Sequence, residues 1–408
     1  MRSTTKIDDL YTSYWDKIKT NQPLENDMVA LFYARVAAFI NLTNPNKENI
    51  FAAKNFLLST MLISEIEYNF PSKEEFIKNV TSWEKPVFLA SKNDDNIHAI
   101  VYKINYIKNE KPETIHEISF FNKDAEGKYK FSHKYNLTEL YDQFCKSTAD
   151  KPEIRQIGDA TLHQEAQTVN FSKENATNIT RQLDILKSTL TKTGGVGIAA
   201  NQCAQIENPL KIVLSGVDYD EPEHVIKAIT RYPTTLFPQM IICINPIIEQ
   251  LDVKTTDFAE GCLSVHGIFR GSVKRPQAVT VRYQDQHGIE HKKNLSGSDA
   301  RVMLHELDHI LNGKVYIQRI IDEMSDLQRN QLLNILSDIL STENFHQNTN
   351  PFLSPLVIFE RDNTGALVFD SEKVKQCLID ARRDVLISIS NILNEKSKNH
   401  LASGNILK

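Results

Sequence analysis

The chain has 408 residues, more than one ordinary domain holds, so two or three domains are expected. Its composition, 41% hydrophobic and 24% charged, is that of an ordinary globular protein, and a net charge of -5 gives no general case for nucleic-acid binding. The cysteines Cys145, Cys203, Cys243, Cys262 and Cys377 are scattered and odd in number, which does not look like a disulfide framework and fits a reducing cytosol. The N-terminus is acidic and lacks an apolar core, so neither a signal peptide nor a transit peptide is expected. The longest apolar stretch, 28–42, is too short to span a bilayer and contains Arg35. A cytoplasmic location without a membrane segment follows as the expectation.

Residues 1–150 read as a separate α+β region. Asp27 is placed to cap a helix running to about Asn41, with Val29, Phe32, Val36 and Phe39 on one face. Pro45 ends it. A second helix is expected over 47–68 and a shorter one over 73–80, separated by Pro71. The period then changes to two: Ile100, Tyr102, Ile104 and Tyr106 alternate with Val101, Lys103 and Asn105. Two more strands, 115–121 and 128–131, flank a turn at 124–127. Asn136 and Glu139 form a capping pair for a helix over 137–145. No chemical motif occurs here. His98, His116 and His133 have no metal-ligand spacing and read as surface or sheet-packing residues. The stretch 147–153 is expected to be a linker.

From Ile154 the character changes. Ile179, Leu183, Leu186 and Leu190 predict a helix over 178–191. The glycine-rich run GVGIAANQ at 195–202 follows. It is no dinucleotide fingerprint, because it follows a helix and lacks the G-x-G-x-x-G spacing, and no Gly-Lys-Ser/Thr makes it a phosphate loop. Its glycines suit close approach of backbone to a ligand, and Gln202 can aim an amide into a site. Buried strands are expected at 210–214 and 240–244, with a surface loop or flap over 218–238 between them. EGCLS at 260–264 contains Cys262, a soft donor that zinc or ferrous iron accepts. A strand over 277–283 leads to a hairpin turn at 285–288, after which Ser298 or Asp299 is placed to cap the next helix.

That helix carries HELDH at 305–309. Positions i and i+4 lie on one helix face, so His305 and His309 can both reach one cation. Glu306 lies beside them, in reach of a metal-bound water as general base. Two histidines are an incomplete site: a catalytic zinc-type centre has three protein ligands and one open position.

Taken in order, GVGIAANQ, EGCLS and HELDH resemble the motifs of peptide deformylases. The resemblance covers roughly 154–324. Ile157-Gly158-Asp159, the stretch RGSVKRP at 270–276, and Gly313, Tyr316 and Arg319 are similar too, and Arg231-Tyr232-Pro233 ahead of Ile244-Asn245-Pro246 resembles a longer loop of some members. The resemblance implies that Cys262, His305 and His309 bind one divalent ion, Fe(II) or Zn(II), with Ni or Co able to substitute. It implies a hydrolase that removes the N-formyl group from N-formylmethionyl peptides, with metal-bound hydroxide as nucleophile and Glu306 as general acid/base. The Gln202 side chain and the Leu263 N–H would stabilise the oxyanion. Val196, Gly197, Phe258, Glu260, Gly261 and Arg270 would contact substrate, and Arg275 would support the site. The sequence departs from the family pattern at His266, where proline is usual, at Leu304, where glutamine is usual, and at Ala160. These departures bear on substrate preference and leave the metal and base residues intact.

Beyond Ile321 the resemblance stops. A helix over 325–341, a hairpin from 356–360 and 366–369 around 362–365, and a long helix capped by Ser371 are expected. Val374, Cys377, Leu378, Ala381, Val385 and Ile392 form that helix's apolar stripe, fit to cover the catalytic domain or to make a dimer. With near-equal acids and bases, this tail is not a basic arm for ribosomal RNA.

The expected fold is therefore α+β: an N-terminal α+β domain over 1–150, a deformylase-like domain of antiparallel sheets around the H-E-x-x-H helix over 151–324, and a helix-hairpin-helix extension over 325–408. The expected partner is formylmethionyl peptide, as on nascent chains at the ribosome. The alternatives are altered N-acyl or amide specificity, or a binding and regulatory role through 1–150.

Overall fold

Helices laid on a strongly paired antiparallel sheet form the first part of the protein. A computed structural model describes residues 5–20, 22–42, 52–53, 56, 60, 80–83, 86–93, 98–108, 110–136, 153–232, 235–265, 270–341, 357–378 and 381–404. Contacts divide the chain into two units, Met1–Lys146 with Ile226–Gln239, and Ser147–Val225 with Met240–Lys408.

The first unit opens with α1 (Thr5–Lys19) and α2 (Met28–Leu42). Asp27 caps α2 as its sequence predicts: Oδ2 accepts the Ala30 N–H at 3.1 Å, satisfying a donor that the first helical turn leaves unpaired. The sheet has five strands, β1 (Val80–Trp83), β2 (Val87–Asn93), β3 (His98–Lys108), β4 (Lys111–Lys123) and β5 (Tyr129–Asn136). β1 and β2 both pair with β3, and β4 and β5 continue the meander. Met28, Leu31 and Phe32 of α2 bury against Ile100, Tyr102, Phe121 and Phe131 of the sheet. The turn at 124–127 is formed, with the Asp124 N–H donating to Lys128 O and Gly127 at φ 75°. β1 and β2 are additions to the three strands that alternation alone revealed. The helix expected over 137–145, and nearly all of those over 47–68 and 73–80, lie outside the described residues; Val80 itself opens β1.

In the second unit, α3 (Lys173–Thr193) leads into β6 (Gly197–Ala199), a 3-10 turn (Ala200–Gln202) and β7 (Ile212–Ser215). The stretch expected as a loop over 218–238 contains a helix, α4 (Pro222–Arg231). The start signals were there: Pro222 at the first helical position and Glu223 in the first turn. After it come β8 (Ile241–Leu251), β9 (Thr255–Glu260), β10 (Arg270–Pro276), β11 (Ala278–Gln284), β12 (Glu290–Ser296) and α5 (Gly297–Asn312).

One sheet has the order β12-β11-β8-β7-β6 and is antiparallel throughout. Its two faces follow the period of two. Ala199, Val213, Cys243, Val279 and Val281 bury against Ala300, Met303, Leu304, Leu307 and Ile310 of α5. Ile198, Ile212, Leu214 and Ile244 face the other way, onto Ile179, Leu183, Leu186 and Leu190 of α3. The helix α5 is thus locked by its apolar stripe to the sheet that carries the glycine-rich motif. Ser296, not Ser298 or Asp299, occupies its N-cap, without a side-chain capping bond. Gly313 ends it at φ 58°, where a Cβ would lie 2.3 Å from His163 O.

Past α5 the chain forms α6 (Tyr316–Glu323), α7 (Asp326–Leu340), β13 (Val357–Arg361), β14 (Leu367–Val368), α8 (Ser371–Leu378) and α9 (Arg383–Gly404). Ser325 and Gln328 make a capping box at the start of α7. β13 pairs in parallel with β10, giving a second sheet of order β14-β13-β10-β9. The single long helix expected after Ser371 is two helices, and the cap is Asp370, whose Oδ1 accepts the N–H groups of Glu372 and Lys373. Val374, Cys377, Leu378, Ala381 and Val385 are buried in one core with Val273, Ile320, Leu336 and Phe359. The apolar stripe therefore covers β10 and α6 within the same chain. Among the described residues, no helix is long and apolar enough to cross a membrane.

Candidate metal centre

Helical spacing sets the first two donors. His305 and His309 project from α5 with ring centroids 5.3 Å apart. Cys262 enters from the bend after β9. Its Sγ lies 3.3 Å from His309 Nε2, and donor atoms of Cys262, His305 and His309 all lie within 4.8 Å of one another. The residues Gln202 and Ser264 flank the sulfur: Gln202 Nε2 is 3.5 Å from Sγ and donates to Ser264 Oγ at 3.2 Å, and the Ser264 N–H points at Sγ from 3.4 Å. The Gln202 amide is oriented by its other end, where Oε1 accepts the Ala199 N–H at 2.8 Å.

A buried ion network supports the histidines. His305 Nδ1 meets Glu260 Oε2 at 2.9 Å, which orients its ring and leaves Nε2 as the atom for a ligand. Arg275 grips Glu260 through Nε and Nη2 at 2.6 and 2.9 Å, and Arg301 Nη1 adds a bond at 2.7 Å. Arg275 also donates to Asp308 at 2.8 Å, and Arg319 closes on the same carboxylate. Burial alone would raise the Glu260 pKa, but Arg275 and His305 hold it far below the usual carboxylate range. Burial likewise opposes charge on His305, yet the Cys262 sulfur and Glu260 raise it well above its ordinary value. His309 is shifted the other way, kept neutral by burial and by the neighbouring His305. A neutral imidazole is the form that ligates.

Glu306, next to His305 on α5, is 4% exposed. Burial pushes its carboxyl up to about 7, partly offset by His305 and Arg275. Its Oε2 has no hydrogen-bond partner among the described residues, and neither does His309 Nδ1. Gly197 packs onto it so closely that a Cβ there would stand 2.4 Å from Glu306 Oε1. Asn201 ties the glycine-rich motif to α5, donating from Nδ2 to His309 O at 2.6 Å and to Leu162 O at 3.0 Å.

A thiol and two imidazoles in mutual reach, with one neutral ring and an unpartnered carboxylate oxygen beside them, fit a divalent ion of the zinc or ferrous type. Three donors leave one tetrahedral position open for a small ligand.

Comparison with known proteins agrees. Residues 151–326 match the family model described as polypeptide deformylase. Peptide deformylase 2 of Nostoc sp. is 37% identical over 176 residues, 43% of this chain and 88% of that protein. The chain belongs to the peptide deformylase family. Peptide deformylase 1A, chloroplastic/mitochondrial, of Arabidopsis thaliana is 33% identical over 181 residues, and this chain spans 64% of its length. A crystal structure of Met-Ala-Ser-bound class I type b peptide deformylase from Acinetobacter baumannii aligns at 26% identity over 42% of this chain and 99% of that one, with a TM-score of 0.36, too low to bear on the fold.

The deformylase motifs meet around one point, but not every expected contact is of the expected kind. Glu260, expected at the substrate, has its carboxylate fully engaged by Arg275, Arg301 and His305. Phe258 lies on β9, 56% exposed, with the Arg301 guanidinium 5.6 Å from its ring centroid. Val196 is buried, whereas Gly261 is exposed and Arg270, at the head of β10, is half-buried. Leu304, where deformylases usually carry glutamine, is buried in the α5 core with its carbonyl accepting from Arg275 Nη1, so this departure is a packing residue. Ala160 is exposed. His266 lies outside the described residues.

Sequence reasoning missed Arg301, Asp308, Ser264 and His224. His224, 1% exposed on α4, receives the Asp218 N–H at Nδ1 (3.1 Å) and meets Gly195 O through Nε2 at 2.8 Å. That fixes its neutral tautomer and pins the strand that carries Gly197. The signal for Arg301 and Asp308 was in the helix itself: charged side chains at positions whose apolar neighbours mark a buried face.

Proposed function

We propose that the protein hydrolyses the N-formyl group of N-formylmethionyl peptides, releasing formate and the free amine. The carrying observation is the grouping of Cys262, His305 and His309 beside the buried Glu306. Cys262, His305 and His309 would hold one divalent ion, iron or zinc, with nickel or cobalt as substitutes. Such an ion supplies Lewis-acid chemistry, polarising the formyl oxygen and bringing the pKa of water toward neutrality.

The protein's own groups do the rest. Glu306 receives at its unpartnered Oε2 the proton lost as water adds to the formyl carbon. It then hands a proton to the departing amine nitrogen as the C–N bond breaks. Gln202 Nε2, aimed at the thiol side of the site, and the Leu263 N–H donate to the oxygen on which negative charge develops. Loss of one such donor lowers turnover about 10²–10³-fold. Glu260 contributes by orienting His305, not by touching substrate. Val196, Gly197 and Phe258 line the pocket for the methionine side chain, and Gly261 and Arg270 border the cleft.

We read 1–150 as an N-terminal domain, 151–324 as the catalytic domain and 325–408 as an extension packed on it. The reading places the protein where formylated nascent chains are made. In composition that fits the cytoplasm. Relatives named as chloroplastic in Solanum lycopersicum and as chloroplastic/mitochondrial in Arabidopsis thaliana make an organelle the alternative compartment.

Formate release from formyl-Met-Ala-Ser by the purified full chain tests the reading. Release is expected, and both a chelator and Glu306→Ala abolish it. Metal-loaded protein that releases no formate from any formyl-peptide would refute it. The folded sheet-and-helix unit at the N-terminus favours a second role as a binding module, which capture of a partner by Cys262→Ser protein would support.

A further inference from the structure

Arg155 lies outside the three motifs, at the entry to the second unit, and is 9% exposed. Its backbone N–H donates to Gln202 O at 2.7 Å. Its Nη1 donates to Asn201 O at 3.2 Å and Cys203 O at 2.7 Å, and its Nη2 to Ala204 O at 3.3 Å and Ile206 O at 2.7 Å. Its Nε faces Asp159 at 3.7 Å. One side chain thus holds the carbonyls on both sides of Gln202 and those of the turn that follows.

Other side chains tie this stretch too: Asn201 Nδ2 donates to His309 O at 2.6 Å and Arg181 Nη2 to Gln205 O at 3.0 Å. Between Ala200 and Ile206 the backbone bonds are Cys203 N–H to Ala200 O at 3.3 Å and Ile206 N–H to Cys203 O at 3.0 Å, and Ala204 N–H reaches out to Glu153 O at 3.1 Å. The carbonyls of Asn201, Cys203 and Ile206 meet Arg155 in buried bonds, and buried carbonyls need donors. A planar guanidinium presents a fork that serves two pairs at once, and a lysine ammonium does not.

We infer that Arg155 is a positioning residue. It sets the backbone from which Gln202 presents its amide to the site, and it acts on the reaction only through Gln202. This rests on the assignment of Gln202 as an oxyanion donor made above.

The test is a double-mutant cycle on the full chain loaded with Zn(II), measuring kcat and KM for formyl-Met-Ala-Ser. The variants are Arg155→Ala, Gln202→Ala and the pair, with Arg155→Lys as the conservative change. Hydrogen exchange at the Cys203 and Ile206 amides is read in parallel on metal-free protein. Arg155→Ala lowers kcat about 10- to 100-fold, with KM nearly unchanged. In the Gln202→Ala background it adds nothing further. Arg155→Lys recovers part of the loss, and exchange at both amides accelerates in both Arg155 variants. Losses that multiply in the double variant, or an Arg155→Ala protein with full kcat, overturn the proposal. If Arg155→Ala does not fold, the same cycle run with Arg155→Lys decides it. A Gln202→Ala protein with full kcat removes the premise and the proposal with it, and that failure is recognisable because Arg155 is intact in that comparison.

Discussion

Gly197 and Glu306 are in such close contact that a single methyl group on Gly197 would lie 2.4 Å from Glu306 Oε1 and 2.8 Å from Val302 Cγ1. The glycine of the first motif is therefore required by the glutamate of the third, whatever the substrate. Gly197→Ala must push the carboxylate aside or move β6. Displacements of this size cost about 100-fold in turnover. Kinetics on Gly197→Ala protein with a native circular-dichroism spectrum are the check, and unchanged kcat would show that the pocket is looser than the contact implies.

Glu260→Gln keeps the shape of the side chain but weakens its hold on His305 Nδ1. Partners of metal-bound histidines typically contribute 10- to 100-fold in affinity. A fall of about that size in Zn(II) affinity is expected by competition with a chromogenic chelator. Wild-type affinity in the variant would mean that Arg275 and Arg301, not His305, are the reason Glu260 is there.

Metal removal should also lower stability, because Cys262 and the two histidines come from separate elements that an ion would join. Free metal at about 100 times its dissociation constant stabilises the folded state by about 2.7 kcal/mol over the stripped protein. Chemical denaturation with and without Zn(II) measures this, and coincident midpoints would argue against a bound ion in the native state.

His224→Ala leaves Gly195 O buried without the Nε2 donor and leaves the Asp218 N–H without its acceptor. The cost of unsatisfied buried groups of this kind is about 1–3 kcal/mol each. A drop in unfolding midpoint is expected as the run into β6 loosens. Stability equal to wild type would place His224 outside the packing of that strand.

Phe359 on β13 is fully buried beside Gly271 of β10. Truncating a core phenylalanine to alanine costs about 3–5 kcal/mol. Because β13 pairs with β10, Phe359→Ala should destabilise the deformylase domain itself and not merely the tail. A protein with the same denaturation midpoint and the same formate release would show the extension to be an appendage.

Local chemistry told much of this in advance. The spacing of His305 and His309 and the soft donor Cys262 mark side chains that can bind a metal, because donor chemistry and helical period are properties of the chain itself, while the set of three was named only by resemblance to a family. The same holds for the Asp27 cap, the 285–288 turn and the apolar stripe of the tail. Other features were decided only by tertiary structure. Period and propensity say that 356–360 is a strand but not that it joins β10 in parallel. They place Glu260 next to a cysteine motif, which reads as a substrate contact, while two arginines from β10 and α5 and a histidine from α5 claim its oxygens. They leave α4 as a loop, because a mixed polar run hides a helix whose buried His224 is recognised only through its bond to Gly195. A donor's type is written in one residue; its partner is fixed by a second residue far along the chain, and only packing brings the two together.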